Sequence, residues 1–170
     1  FLIHLRALSR LPLTSENLAE KFGPQSGLAP KVVSSFANSL SYWGEQSHIR
    51  TFLDEWKRLF GIVYGEEFAD GNQIKEAETL AKLYRVKPGT DFQELLFCIH
   101  TYFALLIKLI TAELLTLRDT SFASSLTSQL AHSGDIELKQ QLEDIENGGI
   151  YARKGINNFL EGDFFRWYLD

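Results

Sequence analysis

Three charged residues, Asp119, Glu137 and Lys139, are of the types that hold a divalent metal ion in a nuclease. That chemistry needs carboxylates on neighbouring elements, close enough to share one ion. Glu137 and Lys139 fall within a segment predicted to be helical, where residues two apart point away from each other. The spacing therefore argues against a nuclease site.

The cysteine and the histidines do not form a catalytic or metal-binding pattern either. Cys98 and His100 are two residues apart on a predicted helix, so they diverge by about 160° and cannot form a nucleophile–base pair. The histidines show no metal-ligand spacing. We therefore predict no catalytic, cofactor-binding or metal-binding residue in this chain. The histidines are His4, His48, His100 and His132.

A glycine-bearing loop near the end of the chain carries two cations. Gly148 and Gly149 are followed by Arg153 and Lys154, and such a loop can bind a phosphate. The alternative is a solvated loop after a glycine helix cap, which we favour because such caps are routine. The chain has no Gly-x-Gly pair and no Walker-type loop.

One apolar stretch, Phe92–Leu117, dominates the chain. It is long enough to cross a bilayer, but His100, Lys108 and Glu113 interrupt it, and charges at the centre of a bilayer are costly. We therefore interpret it as a buried helix of a soluble protein, at the axis of the fold.

The charged residues of this helix allow two interpretations. Glu94, Thr101 and Lys108 fall on one heptad-spaced line, which we expect to be the exposed edge of the helix. Lys108 and Glu113 are either a buried acid and base with shifted pKa values, or an exposed lysine and a glutamate bonded to an arginine or to backbone. We favour the second interpretation because buried charges are costly.

Helical periodicity recurs along the chain, and strand signals do not. We predict an all-α fold, an orthogonal multi-helix bundle of about seven to nine helices around one long buried helix. We expect Ile150–Asn158 to be a loop or a very short strand. The other predicted helices are the end of one at Phe1–Arg10, a short one capped by Thr14 or Ser15 that ends at Phe22, and Pro30–Trp43, Ser47–Tyr64, Asp70–Tyr84, Ser121–His132 and Asp135–Glu146.

Composition favours one cytoplasmic globular domain, residues 1–170. The chain is 45% hydrophobic with 13% aromatic residues, which is enough for a core. Its net charge of -5 provides no general attraction to nucleic acid. A single cysteine suits a reducing compartment. Because the chain has no methionine and both ends are apolar, we expect it to be a fragment of a longer polypeptide.

Four segments together resemble the helical region that precedes the catalytic domain in large bacterial N6-adenine DNA methylases of restriction-modification type. They follow one another in matching order along most of the chain. None of them carries a catalytic motif of that family, since the chain lacks a glycine-rich cofactor loop and an Asn-Pro-Pro-Tyr-like motif. The segments are Pro12–Gly23, Trp56–Gly65, His100–Leu109 and Asn158–Leu169.

The resemblance implies a non-catalytic domain that positions the methylase core or contacts DNA. Its partners would be the methylase domain of the same chain and, through the parent protein, DNA; no membrane role is expected. S-adenosylmethionine is the cofactor expected for the parent protein. The alternative is a helical protein–protein interaction module with no nucleic-acid role, which the acidic charge favours. The candidate DNA-contacting residues are Arg50, Lys57, Arg58, Arg153 and Lys154.

Overall fold

Most of the part of the chain that the structure describes is helical. A computed structural model describes residues 12–43, 47–64, 73–119, 125–159 and 164–169. These ranges contain α-helices and one 3-10 helix but no strand, so the predicted all-α class is confirmed. The elements are α1 (Ser15–Phe22), α2 (Ala29–Trp43), α3 (Ser47–Tyr64), α4 (Gln73–Leu83), α5 (Phe92–Asp119), α6 (Leu126–His132), α7 (Asp135–Glu146), α8 (Gly149–Ala152) and the 3-10 helix Phe164–Leu169.

Side-chain caps explain where several helices begin. Thr14 Oγ1 accepts a hydrogen bond from the backbone N–H of Asn17 at 3.3 Å and so caps α1. Asp91 Oδ1 accepts from the backbone N–H of Glu94 at 3.0 Å and caps α5. Each cap satisfies a backbone donor that has no partner within its own helix.

The segment after α7 begins as a short helix, where we expected a loop or a strand. Gly148 adopts a left-handed conformation with φ of 76°, as expected of a glycine cap. The chain then forms the short helix α8, Gly149–Ala152, so the expected loop or strand from Ile150 onward is wrong at its start. The turn at Gly148 lets the helical backbone resume at once.

Contacts between backbone positions divide the chain into two compact units. The N-terminal unit is Leu18–Tyr102, and the C-terminal unit is Phe103–Leu169 with the described residues up to Asn17. The long helix α5 contributes its first residues to one unit and the rest to the other. The prediction of a single domain over residues 1–170 stays a prediction.

Aromatic packing against α5 builds the core of the N-terminal unit. Trp56 stacks on Phe60 with ring centroids 4.5 Å apart, and it also contacts Phe97 at 5.6 Å. The indole Nε1–H of Trp56 donates to His100 Nδ1 at 3.3 Å, which satisfies the polar group of a buried indole. The buried hydrophobic residues include Phe22, Val33, Leu40, Ile49, Leu53, Ala81, Tyr84, Leu95, Phe97, Cys98 and Tyr102.

The C-terminal unit packs α6, α7, α8 and the 3-10 helix around the second part of α5. Tyr151 in α8 donates its hydroxyl to the backbone oxygen of Lys108 at 2.7 Å. The long apolar helix is therefore a core element in each unit taken separately, as predicted. The buried hydrophobic residues are Ala104, Leu106, Leu109, Ala112, Leu130, Ile145, Ile150, Tyr151, Trp167 and Leu169.

Of the line Glu94, Thr101 and Lys108 that was expected to be exposed, Thr101 and Lys108 are buried and Glu94 is half-buried. Thr101 and Lys108 are both 0% exposed. The hydroxyl of Thr101 donates to the backbone oxygen of Phe97 at 2.9 Å, and Lys108 has a carboxylate partner. The expectation was wrong because these polar groups find partners within the fold, which removes most of the cost of burying them.

One described helix, Phe92–Arg118, is long and apolar enough to cross a membrane by length and composition. Its most apolar window is 56% buried within the protein. Core helices of soluble proteins have the same length and composition, so this feature alone assigns no location.

Candidate functional site

Buried charges on α5 and α7 form the most unusual cluster in the C-terminal unit. The ammonium group of Lys108 contacts Glu146 Oε2, and the two side chains are 0% and 1% exposed. The hydroxyl of Tyr168, in the 3-10 helix, donates to Glu146 Oε1. The interpretation of Lys108 as an exposed lysine is therefore wrong. Its positive charge is compensated within the core.

The geometry of this cluster indicates a structural role. Both carboxylate oxygens of Glu146 already accept hydrogen bonds, so this carboxylate is not free to remove a proton from a substrate. Burial, followed by the charge of Glu146, raises the pKa of Tyr151, which keeps that hydroxyl protonated as a donor. The cluster therefore joins α5, α7, α8 and the 3-10 helix to one another.

Glu113, the second charged residue of this part of α5, is bonded to backbone, as the favoured interpretation expected. Its Oε2 accepts from the backbone N–H of Thr127, in the first turn of α6, at 2.8 Å. Glu113 is 6% exposed, and its Oε1 is buried with no hydrogen-bond partner among the described residues. The carboxylate thus fixes the start of α6 while one of its oxygens stays unsatisfied.

The aromatic 3-10 helix at the end of the chain is held firmly. Trp167 and Leu169 are 2% and 8% exposed, and Arg166 donates to Asn147 Oδ1 at 2.8 Å. Trp167 and Leu169 therefore pack into the C-terminal unit and do not form an apolar patch.

The apolar patch lies elsewhere, along one side of α5. Ile107 is 48% exposed, Leu114 46%, Leu117 38% and Phe103 36%. With the half-buried Ile110 they follow one another at spacings of four, three, four and three residues, and we call these five residues the α5 stripe. Sequence reasoning missed this patch because it placed the exposed edge on the opposite side of the helix.

Three candidate DNA-contacting residues lie on α3 in the N-terminal unit. Arg50 pairs with Asp54 at 3.3 Å, an i,i+4 ion pair on one helix. The ammonium group of Lys57 lies 3.8 Å from Asp91. Arg58 is exposed. Two of these three cations therefore already have a carboxylate beside them.

The other two candidates follow α8 in the C-terminal unit. Arg153 binds Asp144 through two hydrogen bonds of 3.1 and 2.6 Å, and this bonding raises the pKa of Arg153. A Cβ at Gly149 would lie 2.2 Å from Asp144 Oδ1, so a larger residue there would displace this carboxylate. Lys154 is exposed. The five candidates thus belong to two separate units.

The remaining candidates for chemistry give no catalytic arrangement. Burial, followed by the charge of Glu94, raises the pKa of the Cys98 thiol and so disfavours the nucleophilic thiolate. Glu137 and Lys139 are exposed on α7, and the side chain of Asp119 lies outside the described residues. In the ranges that the structure describes, no group of three His, Cys, Asp or Glu residues can hold a metal ion.

A cavity of about 580 Å³ lies in the N-terminal unit, beside α4 and the turn that leads into α5. Such a volume falls within the usual range for small-molecule sites. Its lining combines small and apolar side chains with one acidic and one basic residue a helical turn apart. The lining includes Ala77, Glu78, Ala81, Lys82, Val86 and Phe92.

Comparisons with protein-family models, with curated protein sequences and with solved structures give no significant match for this chain. Any function must therefore be argued from the site geometry and from the resemblance of the four sequence segments.

Proposed function

We propose that the chain is a non-catalytic helical domain of a DNA adenine-N6 methyltransferase and that it positions the methylase core. The methylase context is supported by the four segments that resemble the region before the catalytic domain. S-adenosylmethionine would bind to the methylase core of the parent protein, since we assign no cofactor-binding residue to this chain.

The observation that carries the positioning role is the anchored 3-10 helix. Tyr168 bonds to Glu146, whose other oxygen contacts Lys108 of α5, and Trp167 of the same 3-10 helix is buried. If the methylase core follows this region, as in the proteins it resembles, that core is connected through a segment with little freedom. A fixed connection is what positioning needs, because small misplacements of reacting groups slow catalysis strongly.

The charges argue against direct DNA contact as the main role. Phosphate contacts require cations that can displace the counterions condensed on DNA, and at least three of the five candidates are already paired with carboxylates. Those three are Arg50, Lys57 and Arg153. The net charge of -5 opposes DNA binding further.

Methyl transfer to DNA in the natural polypeptide that contains this region tests the proposal. We expect the polypeptide to transfer a labelled methyl group from S-adenosylmethionine to adenine. Tyr168→Phe, which loosens the anchored helix, should lower kcat/KM about tenfold while the affinity for S-adenosylmethionine is unchanged. Tyr42→Phe, at a 75% exposed site on α2, is the control. A polypeptide without this methyl transfer would overturn the proposal.

A DNA-binding measurement separates positioning from DNA contact. For the 170-residue chain we expect weak binding of a labelled duplex by fluorescence anisotropy at low salt, with little dependence on sequence. Charge reversals at the two exposed candidates, Arg58→Glu and Lys154→Glu, should leave it almost unchanged. Tight binding whose salt slope falls by about one unit in each variant would support the contact role instead.

The second candidate function is a helical protein–protein interaction module, and the α5 stripe favours it. Contiguous exposed apolar side chains mark interaction sites more often than isolated ones do. This role does not need a methylase, so the absence of methyl transfer would not contradict it.

A further inference from the structure

The cavity beside α4 has walls that hydrogen bonds hold in place. One wall is α4, and another is the turn at residues 86–90 that leads into α5. The backbone N–H of Val86 donates to the backbone oxygen of Ala81 at 2.8 Å, which joins the turn to α4. The hydroxyl of Thr90 donates to the backbone oxygen of Lys87 at 2.8 Å and closes the turn. Fixed walls lower the entropy cost of binding, so this cavity is a candidate ligand site.

The interior of the cavity is apolar. Ala81 and Val86 are 8% and 7% exposed, and Ala77 and Phe92 are half-buried. The hydroxyl of Thr90 also lines the cavity, but it already donates to backbone. Because an unpaired polar group is costly to bury, the body of a ligand in this cavity should be apolar.

Two opposite charges, Glu78 and Lys82, line the cavity as well. They have the i,i+4 spacing of a helix ion pair, yet neither makes an ion pair or a side-chain hydrogen bond with another residue that the structure describes. Both side chains are exposed and can therefore meet a ligand from the solvent side. A simple anion would be repelled by Glu78 and a simple cation by Lys82. The lining therefore favours a ligand that carries both charges.

The spacing of the two charges sets the length of the ligand. Four residues of helix separate Glu78 and Lys82 by about 6 Å along α4. The nitrogen and the carboxyl carbon of a single amino acid are about 2.5 Å apart, whereas the ends of an extended dipeptide are about 7 Å apart. We propose that the cavity binds an apolar dipeptide with free termini. Its ammonium group contacts Glu78, its carboxylate contacts Lys82, and its two side chains fill the apolar interior. The proposal does not depend on the methylase assignment.

The exposure of the two charges sets the expected affinity. Ion pairs at the surface contribute little, so most of the binding comes from the apolar side chains of the dipeptide. We expect leucyl-phenylalanine to bind the 170-residue chain with a Kd of about 100 µM at low salt. Isothermal titration calorimetry measures this binding, and the melting temperature should rise with the concentration of the same dipeptide.

Blocking either end of the dipeptide tests the two charged contacts. N-acetyl-leucyl-phenylalanine lacks the ammonium group, and the dipeptide amide lacks the carboxylate. Each should bind about fivefold more weakly, which is the loss expected for one exposed ion pair. Free leucine, which reaches only one of the two charges well and fills less of the interior, should bind at least about tenfold more weakly.

Charge-neutralising substitutions assign the contacts. Glu78→Gln should weaken binding of the free dipeptide about fivefold but should not weaken binding of the N-acetyl form further. Lys82→Gln should show the same relation with the dipeptide amide. Glu76→Gln is the matched control, because Glu76 is an exposed acidic residue of α4 that is not among the described lining residues. Equal weakening in this control would overturn the proposal. Circular dichroism checks that each variant keeps the helical fold.

Three further outcomes would overturn the proposal. One is the absence of saturable binding of leucyl-phenylalanine at millimolar concentration. Another is binding of octanoate and octylamine as tight as that of the dipeptide, which would make the cavity a general apolar site. The third is binding of free leucine as tight as that of the dipeptide, which would contradict the length set by the two charges.

Discussion

The two parts of helix α5 bury different kinds of side chain. In the N-terminal unit, Leu95, Phe97 and Tyr102 are 0% exposed and pack among aromatic side chains. In the C-terminal unit the buried side of the same helix carries Lys108, and its exposed side carries Ile107. The first part follows the ordinary rule for a core helix, whereas the second part buries Lys108 together with apolar residues such as Leu106 and Leu109.

The difference shows that apolar content does not by itself orient a helix. Both parts are rich in large apolar residues, so each has several sides that can enter a core. In the second part, specific polar partners decide the choice: Glu146 for Lys108 and the N–H of Thr127 for Glu113. Once these charged groups lie in the core, losing their partners would be costly, so the partners fix the orientation of the second part.

Breaking the buried ion pair should have the largest effect. Lys108→Met leaves Glu146 buried without its partner, and we expect unfolding to become easier by about 3 to 5 kcal/mol. Urea unfolding followed by circular dichroism measures this. The double variant Lys108→Met with Glu146→Leu should lose less than the sum of the two single variants. Additive losses would show that the two groups do not interact.

Truncating α5 on its two sides should have unequal effects. Leu106 is 5% exposed, so Leu106→Ala should cost about 2 to 5 kcal/mol. Phe103 is 36% exposed, so Phe103→Ala should cost less. Urea unfolding of both variants tests the orientation of the helix. Equal costs would contradict it.

Removing the acceptor at Glu113 should have an intermediate effect. Glu113→Ala leaves the backbone N–H of Thr127 without its partner, which costs about 1 to 3 kcal/mol for a buried group. Glu113→Gln keeps an oxygen acceptor in place and should cost less. Thermal unfolding of the two variants distinguishes them, and a glutamine variant as unstable as the alanine variant would argue against this role.

The smallest expected effect is a pH dependence in the first part of α5. Burial lowers the pKa of His100 below its ordinary value of 6.5, and its Nδ1 accepts a hydrogen bond from Trp56. The unfolded chain therefore takes up a proton first as the pH falls, so stability should decrease below about pH 6.5 toward the lower folded pKa.

Melting temperatures at about pH 7.5 and pH 5.5 measure this decrease. His100→Gln should reduce it, whereas His48→Gln, at an exposed site on α3, should not. An unchanged pH dependence in the His100 variant would show that this imidazole does not contribute.

Much of the candidate site could not be read from local sequence. The Arg50–Asp54 pair was visible because both residues lie on one helix, four positions apart. The partner of Lys108 was not, since Glu146 is 38 residues away and lies on another helix. The contact between Trp56 and His100 spans 44 residues in the same way. The function of the chain stays a prediction, and so do its cofactor, partners and location.

The sequence by itself determined the all-α class, the core role of the long apolar helix and most helix boundaries. Periodicity and capping residues act within a few positions, so these features depend on local physics. Only the tertiary structure decided which side of α5 faces inward after Tyr102. That choice depends on where the fold places Glu146 and Thr127. Both are distant in sequence from their partners on α5, so no local sequence pattern predicts these contacts. The α5 stripe is exposed as a consequence of that choice.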